Sequence, residues 1–222
     1  MNRANSEMGQ PVNNLEKALS GLLEDSELIA ALGTVLAYTC QSGRVSYREA
    51  KEIVGDDPED VLLLGNQWRF LIPTKIVKSS AWEDRPLLCK PGESYELPNV
   101  ARHLVQNASR TGCWDPMCAV AEVFKESEEP AWQQMPELVA DLGKQARDYQ
   151  ISATQIRQIC TRTGLGDKVD VLIAELKAAG VMSPKLGSPA EVFRAGSPLY
   201  ELNPSLFIKK GEENGASYHY PE

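Results

Sequence analysis

The sequence predicts an α+β protein, mainly α with small β-hairpins, in which one module occurs twice. Three observations carry this. In the stretch 150–206, two helical patterns (ISATQIRQICTRTG and DKVDVLIAELKAAG) lead into two strand-like pieces (VMSPKL and SPLYELNP) separated by a Gly/Pro/Ser-rich loop. The chain also resembles itself. RVSYREAKEIVG at 44–55 aligns with QISATQIRQICT at 150–161, DVLLLGNQWRFLIP from Asp60 aligns with DVLIAELKAAGVMSP from Asp170 after one residue of slippage, and SYELP at 94–98 aligns with LYELNP at 199–204. Blocks recurring in one order at nearly constant offset mark a repeated unit. Finally, 222 residues suit two modules of ~100 residues, each able to bury its own core.

The second copy is the clearer one. Ser152 is placed to cap a helix whose apolar positions Ala153, Ile156, Ile159 and Cys160 recur at helical spacing. Gly164 and Gly166 break that helix and Asp167 restarts the pattern. Val169, Leu172, Ile173, Leu176 and Ala179 then form one apolar stripe, and Gly180 stands where a left-handed cap costs least. A helix, a second helix and a hairpin in this order resemble the winged-helix family, here in two tandem copies. The resemblance covers pattern and spacing. It implies a polar arm at 1–13, a first module at 14–105, a linker with a helix at 106–129, a second module at 130–208 and a polar tail at 209–222.

In the first copy, helical patterns fill 14–41, with Leu15, Leu19 and Leu22, then Leu28, Leu32, Val35 and Leu36, as apolar stripes. Such a terminal stripe suits either the core or the seam of a homodimer. The second helix is expected over 44–54, with Arg44, Arg48 and Lys51 on one polar face balanced by Glu49 and Glu52. The third follows DDPED. Trp68, Phe70, Leu71 and Ile72 lead into the first wing strand, and SSAWEDRPLL is a loop whose Trp82 and Arg85 are exposed if it projects, with a Trp82 folded back on the core as the plainer reading.

Between the copies, an amphipathic piece carries Arg102, His103 and Arg110, and Pro116 opens a helix at Asp115. The first helix of the second module is expected over 130–149, with Leu138, Val139 and Leu142 inward. Cys113 and Cys118 flank four residues, a spacing unlike the closer pairs common at zinc sites, and His103 and His219 are the only imidazoles. Two small buried thiols are the plain reading, with a redox pair as its alternative. Five scattered cysteines suit a reducing compartment.

The winged-helix resemblance implies docking on double-stranded DNA through the third helix and the wing. On that reading the contacts are Arg157, Arg162, Thr163 and Lys168 around the second module's turn, with Lys185 and Arg194 in its wing. Charge opposes it. Twenty-three basic residues stand against thirty-one acidic, a net charge of −8, and the expected third helix of the first module opens with Asp56, Asp57, Glu59 and Asp60. Acid there also complements the helix dipole. The alternative is a protein-binding adaptor that uses acidic faces or Trp82. No glycine-rich phosphate loop, GxSxG or HExxH is present, so neither an enzyme nor a cofactor is expected. Without a signal core or a long apolar run, the expectation is a cytoplasmic protein with no membrane partner.

Overall fold

The structure is a computed structural model that describes residues 4–23, 26–55, 57–186 and 196–208. It is mainly helical, with two small three-stranded antiparallel sheets. The first half runs α1 (Ala4–Ser20), α2 (Ser26–Ser42), β1 (Arg44–Ser46), α3 (Tyr47–Val54), α4 (Pro58–Gln67), β2 (Ile72–Pro73) and β3 (Ser94–Glu96). Helices α5 (Asn99–Thr111) and α6 (Pro116–Glu126) follow. The second half runs α7 (Met135–Gln145), β4 (Gln150–Ser152), α8 (Ala153–Arg162), α9 (Val169–Ala178), β5 (Met182–Lys185) and β6 (Leu199–Leu202).

The two halves repeat one topology. Their sheets are ordered β1-β3-β2 and β4-β6-β5, and the final strand lies in the middle of each. Val45 pairs with Tyr95 and Arg44 with Glu96; correspondingly, Ile151 pairs with Tyr200 and Gln150 with Glu201. The Tyr-Glu-Leu that recurs in the sequence therefore occupies the same sheet position twice. Strands β1 and β4 were not expected: β1 falls inside the helix expected over 44–54, and β4 runs up to the cap expected at Ser152. They are three residues long and stop at Ser46 and Ser152, the residues that cap α3 and α8. Each cap is a reciprocal box: the Glu49 amide donates to Ser46 Oγ (3.2 Å) and the Ser46 amide to the Glu49 carboxylate (2.8 Å), with Gln155 in the same role for Ser152.

Two hydrophobic cores form, and α5 belongs to both. Ala101, Val105 and Ala108 enter the first core, with Leu15, Leu36, Phe70 and Tyr95, while Val100 and Leu104 enter the second, with Phe124, Leu138, Leu172 and Leu202. Spacings of three and four residues put each set on its own stripe of the helix. The segment expected to link two modules is thus a packed element. Leu15 and Leu19 are fully buried inside the chain, which removes them from a homodimer seam, and the helix that holds them begins at Ala4, within the expected arm.

Direct bonds fasten one half to the other. The Val100 amide donates to Ala179 O (2.8 Å) and the Trp114 indole to Ser205 O (3.1 Å). The Trp114 ring meets Phe70 edge-on, with centroids 5.3 Å apart. At Gly180, φ is +75° and an added Cβ would lie 2.5 Å from that of Pro98, so glycine is needed for both conformation and space.

Leu104→Ala is expected to lower stability by about 2–5 kcal/mol. Because α5 is shared, the loss should leave one transition: urea unfolding followed by tryptophan fluorescence and by far-ultraviolet circular dichroism should give coincident, lowered midpoints. Two separated transitions would mean that the halves unfold independently.

Candidate interaction surface

Helices α3 and α4 in the first half, and α8 and α9 in the second, are the corresponding helix pairs of the repeat. Hydroxyl groups hold the acidic side chains of the first pair. Glu49 accepts from Ser46 Oγ (2.6 Å) and from the Tyr38 hydroxyl (2.7 Å), and these bonds, the Ser46 one foremost, lower its carboxyl to about 2. The Tyr47 hydroxyl bonds to Glu59 and lowers that carboxyl as well. The first turn of α4 therefore presents two exposed carboxylates, Glu59 and Asp60, with Glu59 held ionised by the tyrosine hydroxyl. Asp57, just before it, has φ +56° and makes no side-chain cap bond.

The residues expected to contact DNA separate into three groups. Arg157, Arg162 and Lys168 are exposed around the α8–α9 turn, but Arg157 lies 3.6 Å from Asp170 and Arg162 lies 3.1 Å from Asp141. Asp141 also binds Lys144 at 2.9 Å; this bond first, and Arg162 next, keep its carboxyl below the usual range. Lys185 and Thr163 are committed inward. Lys185 Nζ is 2.7 Å from Glu83 in the opposite half and its side chain is only 17 % exposed, so it is no wing contact. The Thr163 hydroxyl donates within α8, 3.1 Å from both Ile159 O and Cys160 O, which takes its one proton away from any phosphate. Arg194 lies outside the described residues, as do Asp56 and His219.

Trp82 is also corrected. It is 8 % exposed and sits in a 3₁₀ turn (Trp82–Asp84) against β5, where its amide donates to Ser183 Oγ (2.9 Å) and Arg69 stacks over its ring at 5.7 Å. It cannot serve an outside partner without opening the molecule. Arg85, expected at the same tip, folds back onto Glu96 at 3.0 Å.

The interface between the halves is rich in such pairs. Arg69 binds Glu201 at 2.9 Å, the Leu186 amide donates to Glu83 at 2.8 Å, and the buried Asn203 side chain donates to both Arg69 O and Gly180 O. A cleft of about 770 Å³ opens beside these groups, lined among others by Trp68, Arg69, Tyr149, Lys185, Glu201 and Phe207. Both of its named cations already face carboxylates, so it offers no free positive charge to an anionic ligand.

Residues 13–211 match the model of one protein family. The chain belongs to that family. The match brings no activity with it, and neither the curated proteins nor the solved structures contain a match to the chain.

What sequence reasoning missed is apolar. Among the described residues the large exposed hydrophobic side chains are Leu63, Ile76, Val77, Val171 and Leu186. Leu63 and Val171 stand on α4 and α9; Ile76, Val77 and Leu186 stand in the loops that leave β2 and β5. None lies on the other helices. The sequence holds a local signal for part of this, because Ile76 and Val77 are bracketed by Lys75 and Lys78, an arrangement foreign to a buried strand.

Elsewhere the polar clusters are structural. His103 is buried between α5 and α6, with Nδ1 3.6 Å from Glu122 and Nε2 3.1 Å from Glu126. Cys113 and Cys118 are free and exposed rather than buried, and the Cys118 thiol is raised by burial first and then by Glu122 and Asp115, which removes thiolate character. Among the described residues no group of three or more His, Cys, Asp or Glu could hold a metal ion, and no helix is long and apolar enough to cross a membrane.

Glu175 on α9 meets the buried Glu129. Burial first, then the hydrogen bond and charge of Glu129, raise its carboxyl, and one of its oxygens is buried without a partner. A raised carboxyl contributes stability below the ordinary carboxylate pKa, and that contribution is lost as pH rises through the folded-state pKa. Glu175→Gln should therefore raise the urea midpoint near neutral pH, with the gain vanishing toward about pH 4. An equal gain at both pH values would contradict the raised Glu175 carboxyl.

Proposed function

We propose that the protein is a pair of winged-helix modules held as one body and that it works as a protein-binding adaptor rather than as a reader of DNA. The carrying observation is the placement of the exposed apolar side chains. Among the described residues they are confined to the two third helices and the two wing loops, which are the outward elements of that fold, and on α4 they lie beside the exposed carboxylates of Glu59 and Asp60. Apolar groups left in water at one set of elements favour a protein surface as the counterpart. A duplex would meet repulsion at the place where the fold usually enters the major groove, because Glu59 and Asp60 occupy the first turn of α4 and Asp170 that of α9. The topology supports the module assignment: each half has helix, strand, helix, helix, strand and strand in chain order, with the last strand central.

The DNA reading keeps Arg157, Arg162 and Lys168. Two of these share carboxylates, and Lys185 and Thr163 no longer add to them. Incubation of the full chain with a mixed duplex library at low and at moderate salt decides between the readings. We expect weak retention at low salt, unselective in sequence and absent at moderate salt. An enriched sequence retained at moderate salt, and lost on replacing Arg157 and Lys168 with Ala, would overturn the adaptor reading.

A further inference from the structure

We propose that the first module associates with a second copy of this chain, the α4 face of each copy docking on the β2 wing loop of the other. The proposal rests on the reading of third helices and wings as contact faces. Two patches of this module carry it. On α4, Glu59, Asp60 and Leu63 recur within one to four residues on an exposed face, with Leu63 54 % exposed. On the wing loop, Lys75, Ile76, Val77 and Lys78 are consecutive and all exposed, with Ile76 and Val77 53 % and 57 % exposed.

Each patch is an apolar centre beside charge of one sign, and the signs are opposite. Acid on the helix and base on the loop make the module complementary to itself, which is the condition for an isologous contact about a two-fold axis. Lys75 makes a loose pair with Glu93 at 3.7 Å and its side chain stays 58 % exposed, so its charge remains available. Glu59, tied to Tyr47, stays ionised across the neutral range. Among the described residues the second module does not repeat this pairing. Its third helix exposes Asp170, Val171, Ala174 and Lys177, which mix both signs, and its wing lysine is spent on Glu83. Self-association through the first module leaves that second face open to a different partner.

The test is the mass of the full chain in solution by analytical ultracentrifugation, across protein concentration and at low and moderate salt. The expected result is a monomer–dimer equilibrium that weakens with salt. Leu63→Asp, the double variant E59K/D60K and the double variant K75E/K78E should each weaken it at least about tenfold. Mixing the two charge-reversed variants should restore the dimer, because both contacts of the mixed pair are again between opposite charges. A wild-type monomer throughout would overturn the proposal, as would a dimer indifferent to these substitutions or a mixture that stays monomeric while each variant melts like the wild type. Sequence-specific DNA retention would instead remove the adaptor reading itself, so the two failures are distinguishable.

Discussion

Helix α5 must satisfy two hydrophobic cores at once, and most of the molecule follows from that constraint. Its thirteen residues carry Val100 and Leu104 to one side and Ala101, Val105 and Ala108 to the other. The division of sizes has a mechanical consequence. Alanines at two of the three positions on the first side let α1 approach closely, while Leu104 fills the space under α6 and α7 on the second. A helix buried on two stripes cannot turn about its axis without exposing one of them. The halves consequently share an orientation set by side-chain packing, as well as by the chain connection.

That fixed orientation explains where the charges go. The 3₁₀ turn containing Trp82 rests on β5, and this brings Glu83 to Lys185 and Arg69 to Glu201. The same repeated glutamate serves differently in the two halves: Glu96 binds Arg85 within its own module, whereas Glu201 reaches Arg69 in the other. Arg69 and Gly180 both have positive φ where the chain leaves a third helix, and only the first carries a side chain that can bridge the halves. These ion pairs are largely shielded from solvent, so breaking one leaves a charge poorly solvated, and their main contribution is to specify how the halves meet. Each pair withdraws one charge of each sign, so the net charge of −8 stays on the remaining surface.

The repeat was legible because its strongest signals are local. Ser152 was placed as a helix cap and caps α8, whereas the reciprocal box at each serine, completed by Glu49 and Gln155, appears in the structure and went unread although its signal lies within four residues. Gly164 and Gly180, read as breaks, have positive φ. Strands β1 and β4 were not legible, because three residues preceding a helix cap carry no period of their own and exist only through pairing with β3 and β6. The partner contact offered for an exposed Trp82 and the DNA contact expected of Lys185 fell for a related reason. Each residue belongs to a loop or strand whose local pattern suits solvent, and each is covered by the opposite half, at a sequence separation near one hundred residues. The α5 stripes were read as a short amphipathic piece because one apolar face suffices for that pattern, and the second face, made largely of alanine, looks neutral.

The functional argument turns on how a fold with two equivalent copies treats equivalent positions. A chain selected to place two similar helices in successive grooves would carry positive charge at both, since the phosphate backbone acts on each alike. Here the first copy holds carboxylates on α4 and fixes one with a tyrosine hydroxyl, and the second pairs its arginines with Asp170 and Asp141. Both copies nevertheless keep an apolar side chain more than half in water on the third helix, Leu63 and Val171. A feature repeated on the outward element of each copy, and accompanied on the first by charge of the wrong sign for DNA, supports the proposed contact with protein.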